Sequence, residues 1–235
     1  MDFDVLPGPS LPELARTALG RAPAATVGEG GPAGSRSAPG QAPVRAGRDG
    51  SPMLLPASGS PLAQQLAAGP DTVIVTVPAS APFRGLRLTG AARPVARDMA
   101  AGISAYTVDL RSVEFTGGGG APVAMADYRA ATPDPLWRTA PGVLRHLEQA
   151  HMADLVGCVR AHGMATADWV IPRGLDRYGL ELLVLSTDGA TVVRLAFPDG
   201  PVTSMQVVPA SIRTTLTCRC QAGPGHSGSH PAVSD

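Results

Sequence analysis

The residues of this 235-residue chain whose types could do chemistry gather at three places. The first is the C-terminal stretch CRCQAGPGHSGSHPAVSD (218–235), which brings Cys218, Cys220, His226 and His230 close together in sequence. Thiolate and imidazole are ligands for zinc and other borderline metals. The His-x3-His interval suits zinc, whereas Cys-x-Cys is tighter than the usual two to four intervening residues. A Gly-, Ser- and Pro-rich segment loses conformational entropy on closing around an ion, so a flexible tail with incidental thiols stands as the competing account. The second place is HLEQAH (146–151), which holds two of the five histidines.

Two helical histidines share a metal when they lie three or four residues apart. In a regular helix a spacing of five leaves His146 and His151 roughly 140° apart around the axis, so one continuous helix points the two rings away from each other. His151 falls in the stripe Leu144, Leu147, His151, Leu155, Val159, with Asp154 three residues on. That placement reads as a core or interdomain histidine satisfied by a carboxylate or a backbone carbonyl. His146 sits with Gln149, Ala150 and Ala153, a face small enough for another element to approach, and reads as an interface cap, with a ligand or proton-shuttle role as the alternative. A third cluster, GLDRYG (174–179), places Asp176, Arg177 and Tyr178 just before an apolar run. It reads as a structural turn, with Asp176 or Arg177 tied to the first helix of that half, or as an exposed Arg–Tyr pair for a partner. GGGG (117–120) lacks the Lys-Ser/Thr of a phosphate loop, and no serine has the strand–turn–helix setting of a nucleophile, so no catalytic residue is assigned.

The elements that must position these residues differ between the halves. LPELARTALGRA (11–22) has helical spacing. SPLAQQLAAG (60–69) has a Ser start, Pro at the first helical position and a Gly stop. Strands are expected at 24–27, 42–46, 52–56, 72–77, 84–95, 103–115 and 121–125. TVIVTV (72–77) is β-branched enough for a buried central strand. In ISAYTVDLRSVEF the inward parity of Tyr106, Val108 and Leu110 changes before Val113 and Phe115, which predicts a β-bulge near Arg111–Ser112. A small barrel buries such strands without open edges. Residues 127–142, with three prolines, read as a linker. The second half reads as a helix from about Val143 to His162, strands at 168–172, 178–186 and 191–197, a hairpin at Asp188–Gly189, and a closing helix from Pro209. The fold class is α+β. The divisions are a flexible N-terminus at 1–10, a barrel domain at 11–126, the linker, an α+β domain at 143–217 with an antiparallel sheet, and a flexible tail at 218–235.

Composition narrows the functions. Basic and acidic residues balance at 19 each, and every basic one is Arg, as coding bias in a GC-rich genome would produce. No basic run interleaved with aromatics appears, which argues against nucleic acid and anionic membrane as partners. The acidic, Pro-containing start has no signal-peptide pattern, and no window has the roughly 18 apolar residues of a spanning helix. With three cysteines, an odd number, reduced thiols and a cytoplasmic location are expected.

HLEQAHMADL, GLDRYGLEL (174–182) and RLAFPDGPVTS (194–204), in that order and spacing, resemble the C-terminal α+β domain that follows a split β-barrel in HugZ-type haem-utilisation proteins and in the plant glutamyl-tRNA-reductase-binding protein. Through PMLLP…SPLAQQLAAGPDTVIVTV the first half resembles the flavin-binding split barrel of pyridoxamine-phosphate-oxidase-like proteins. The resemblance runs from about residue 11 to 217. It implies a homodimer with a ligand pocket where two barrels meet, and haem or another tetrapyrrole as ligand. In the haem-degrading members a proximal histidine comes from a C-terminal loop, the region that His226 and His230 occupy here. Two departures stand out. Glu148 and Ala150 replace the Asn and Asp of the family helix, and 54–67 carries no cation where flavin-binding members hold the phosphate, which argues against FMN. The expected function is a ligand-binding or regulatory protein of the haem-utilisation type. A flavin-dependent oxidoreductase or haem-degrading oxygenase, and a cofactor-free interaction module, are the alternatives.

Overall fold

A computed structural model describes residues 8–30, 38–79, 84–95, 102–117 and 120–217. The chain divides into two compact units, Pro9–Arg138 and a second one built on Thr139–Asp235. The architecture is α+β: an antiparallel barrel with helices, and a separate small sheet with its own helices.

In the first unit α1 (Leu11–Arg21) starts where the sequence caps it. The Ser10 hydroxyl accepts from the Glu13 N–H and the Glu13 carboxylate accepts from the Ser10 N–H, a reciprocal capping box. Strands β1 (Ala24–Glu29), β2 (Gly40–Ala46) and β3 (Pro52–Leu54) are followed by α2 (Pro61–Ala67). Then come β4 (Val73–Val77), β5 (Leu86–Pro94), β6 (Tyr106–Phe115) and β7 (Ala121–Val123). The order is β3-β2-β1-β4-β5-β6-β7, and β3 also pairs with β6, which closes a six-stranded barrel. Both β3 and β7 pair with β6. β3 takes Tyr106 and Thr107, and β7 takes Val113 to Phe115.

The expected bulge is present. Thr89 faces Ser112 while Gly90 faces Leu110, so Arg111 has no partner on β5. The extra residue returns Val113 and Phe115 to the buried face that Tyr106, Val108 and Leu110 occupy. Val73, Val75 and Val77 of β4 point into the same core.

Residues 127–142, expected as a linker, are built otherwise. A one-and-a-half-turn helix α3 (Met125–Ala130) begins directly after β7, and Tyr128 and Leu136 are both fully buried in the first unit. So short a helix, with one inward residue, leaves no periodic signal in the sequence. Tyr128 donates its hydroxyl to the Gly50 carbonyl at 2.8 Å. Buried Arg16 donates to the Tyr128 carbonyl at 3.2 Å and lies over the Tyr128 ring. Together they clamp α1, α3 and the turn at 47–51. Gly50 has φ +86°, and a Cβ there would meet Arg16 Nη1 at 2.6 Å, so that turn needs glycine.

In the second unit, helices α4 (Ala140–Ala150) and α5 (Met152–Ala161) pack on a three-stranded antiparallel sheet ordered β10-β9-β8. β8 is Ala167–Asp176, β9 Gly179–Ser186 and β10 Gly189–Ala196, and α6 (Val208–Thr217) closes the unit. Val170, Leu180, Leu182, Val184 and Leu195 form the buried layer of the sheet. The first strand runs longer than its apolar pattern implies, so GLDRYG becomes a tight hairpin with Asp176 opposite Gly179. The DG hairpin joins β9 to β10 with Ser186 opposite Gly189.

Candidate ligand-binding site

The helix expected from Val143 to His162 is two helices. They meet at His151, which ends α4 and begins α5 with φ −128° and ψ 23°, far from helical values. Hydrogen bonding continues on both sides: the His151 N–H donates to the Leu147 carbonyl at 2.9 Å, and the Leu155 N–H donates to the His151 carbonyl at 3.0 Å. The bend overturns the geometric argument that separated the two rings. The centroids of His146 and His151 lie 5.1 Å apart, edge to face at 73°. Asp154, in the first turn of α5, stands 3.0 Å from His151 Nδ1. A carboxylate three residues into a new helix is favourably placed on the macrodipole and satisfies the residue that caps it.

A cavity of about 780 Å³ opens along this bend. Gly142, Val143, His146 and Leu147 of α4 line it, with Ala153, Asp154 and Gly157 of α5. Met205 and the α6 residues Val208, Pro209, Ile212, Arg213 and Leu216 form the facing side. Each helix contributes residues spaced three and four apart, so three amphipathic faces converge. The lining is mostly aliphatic. Its polar groups are the imidazole pair, Asp154 and Arg213, the usual make-up of a site that holds an apolar body and fixes a few polar points. The His151 side chain is 41 % exposed, so it is not a core histidine, although the carboxylate of Asp154 does satisfy it; His146 is exposed. Leu147, Leu155 and Val159 of that stripe are buried. The contribution of α6 was not foreseen, because nothing in its sequence says which helix it will face.

Cys158 is buried, its Sγ 3.8 Å from the Thr215 carbonyl and 3.7 Å from His162 Nδ1, and it joins α5 to α6 beneath the groove. Asp176 is not tied to the first helix of this unit. It forms an ion pair with Arg194 of β10, and its Oδ1 accepts from the Tyr178 N–H at 2.8 Å. The Arg177 and Tyr178 carbonyls accept from Val202 and Phe197 at 2.7 and 2.9 Å, so the GLDRYG turn fixes the start of the 197–202 loop. Cys218, Cys220, His226 and His230 lie outside the described residues. Among the described residues no three His, Cys, Asp or Glu side chains are grouped to hold a bare metal ion. No helix among them is long and apolar enough to cross a membrane.

Residues 54–67 hold no cation. Ser60 spends its hydroxyl on capping the Ala63 N–H at 3.2 Å. Of the arginines on neighbouring strands, Arg84 donates to the Gly117 carbonyl at 2.6 Å and Arg87 pairs with Glu114 at 3.2 Å. Arg45 is exposed.

No protein-family model matches the sequence, and neither does any curated protein. Among solved structures, the chain is similar to a haem-binding protein from Mycobacterium smegmatis, with TM-score 0.69 and 22% identity, over 92% of this chain and 100% of that one. That likeness establishes a shared fold. A protein of unknown function from Agrobacterium tumefaciens aligns over 91% of this chain and 99% of its own at 16% identity, but its TM-score of 0.42 is too low to bear on the fold.

Proposed function

We propose that the chain is a cytoplasmic binding protein of the haem-utilisation type, whose ligand is haem or a closely related tetrapyrrole, and that it works as a homodimer. The observation that carries this reading is the groove beside His146 and His151: about 780 Å³, mostly aliphatic, with accessible imidazole at one edge. A volume in that range suits a cofactor-sized ligand. A planar apolar macrocycle fits between helical faces, and imidazole is a common axial ligand for its iron. The fold shared with a protein described as haem-binding supports the same reading. An axial ligand could come from the groove or, as the resemblance implies, from His226 or His230 of the tail. A pocket between two barrels would require a second copy, whereas the described residues that line the groove belong to one chain.

The test is an absorbance titration of the purified full-length protein with haemin and, separately, with FMN. A saturable Soret shift at about one haem per chain, with no perturbation of the flavin spectrum, is expected. Absence of any Soret shift at micromolar haem would remove the reading and leave a cofactor-free interaction module. A flavin response with no haem response would move the chain to the oxidoreductase class.

A further inference from the structure

We propose that His151 is the residue that ligates the iron, through Nε2, and that Asp154 is its positioning residue; this assignment rests on the haem-binding reading above. The argument begins with the proton. An ionised carboxylate only accepts hydrogen bonds, so the 3.0 Å contact between Asp154 Oδ2 and His151 Nδ1 places the imidazole proton on Nδ1. The neutral ring then carries its lone pair on Nε2, the form a metal requires. A ligating histidine whose other N–H is held by a carboxylate is fixed in tautomer and orientation and is the more basic donor.

His146 lacks this arrangement. Among the described residues no hydrogen bond orients either of its ring nitrogens, and its contact is the edge-to-face approach to His151. Nor does it complete a bis-imidazole pair across the iron. Two axial imidazoles on opposite faces, each with a metal–nitrogen bond of about 2 Å, put their centroids roughly 6 Å or more apart with the macrocycle between them. The observed pair is 5.1 Å apart and in direct ring contact, with no room for a macrocycle between the rings. His146 therefore belongs to the same side as His151 and helps hold its ring plane. The backbone adds a further constraint, since His151 is anchored on both sides by the bonds to Leu147 and Leu155.

The experiment titrates haemin into wild type, His151→Ala, Asp154→Asn and the His226→Ala, His230→Ala double variant, reading the Soret band and the iron–histidine stretch of the ferrous form. His151→Ala should weaken binding at least tenfold and lose the iron–histidine stretch. Added imidazole should restore the wild-type Soret band, which separates loss of the ligand from loss of the fold. Asp154→Asn should keep the wild-type Soret position, weaken binding by about tenfold and lower the stretch frequency, as expected when a carboxylate partner is replaced. The tail double variant should match wild type. A His151→Ala protein with the wild-type spectrum and affinity overturns the assignment while leaving haem binding intact, and so does loss of the stretch in the tail variant alone. A wild-type protein that gives no Soret shift defeats the functional reading itself, and the assignment with it.

Discussion

Removing the hydroxyl of Tyr128 should have opposite consequences at neutral and alkaline pH. The side chain is fully buried and its hydroxyl donates to the Gly50 carbonyl at 2.8 Å. Tyr128→Phe leaves that carbonyl without this donor inside the clamp with Arg16, which costs about 1–2 kcal/mol at pH 7. Burial pushes the phenol above its ordinary range. Arg16 pulls it down in part, and Asp49 adds a smaller upward push. Below pH 10 both the folded and the unfolded chain hold the proton, and the contribution is complete. Above pH 10 the unfolded chain releases it while the folded chain retains it, so wild-type stability falls by about 1.4 kcal/mol per pH unit from this group. The phenylalanine variant has no such loss. Its deficit should shrink as pH rises and vanish near pH 11, while titration of the other two tyrosines and the thiols cancels in the difference. Urea unfolding of both proteins at pH 7, 9, 10, 10.5 and 11, followed by far-UV circular dichroism, measures this directly. An equal deficit at pH 7 and pH 11 would refute the claim that the native site keeps the phenol neutral.

Other consequences can be read from the second unit. A Cβ at Gly179 would meet the Leu195 carbonyl oxygen at 2.1 Å, backbone against backbone, so Gly179→Ala should cost about 1–3 kcal/mol and lower the urea midpoint. Asp176→Ala removes the ion pair with Arg194 at a site only about one-fifth exposed, together with the acceptor of the Tyr178 N–H, and should cost about 2 kcal/mol in the same assay. Asp176→Asn should cost less, because its amide oxygen still accepts from the Tyr178 N–H. The two functional predictions, a Soret shift on haemin titration and its dependence on His151 rather than on the tail, are checked by the same absorbance measurement.

Local features of the fold were open to reading from single segments. The Ser60 cap, the DG hairpin and the β-branched strand TVIVTV each depend on residues a few positions apart, whose physics does not wait for the rest of the chain. The bulge at Arg111 was legible for the same reason, since a change of parity within one strand has one economical cause. Closure of the barrel followed less directly, because the pairing of β3 with β6 joins residues more than fifty positions apart.

The site was decided by tertiary structure. Five positions along a regular helix separate His146 from His151, and only the bend, where α5 restarts after His151, brings the rings together. Periodicity assumes constant backbone angles and cannot register a single residue at φ −128°. The partner of Asp176 proved to be Arg194, eighteen positions away on β10, because strand pairing brings the two side by side. The facing side of the groove comes from α6, some sixty residues after α4, and packing, not spacing, selects which apolar face closes against which. From the sequence alone came the α+β class, most of its elements and the two histidines of HLEQAH as marked residues. Their convergence in one apolar groove is a property of the folded chain, because it arises from contacts between segments that local rules treat separately.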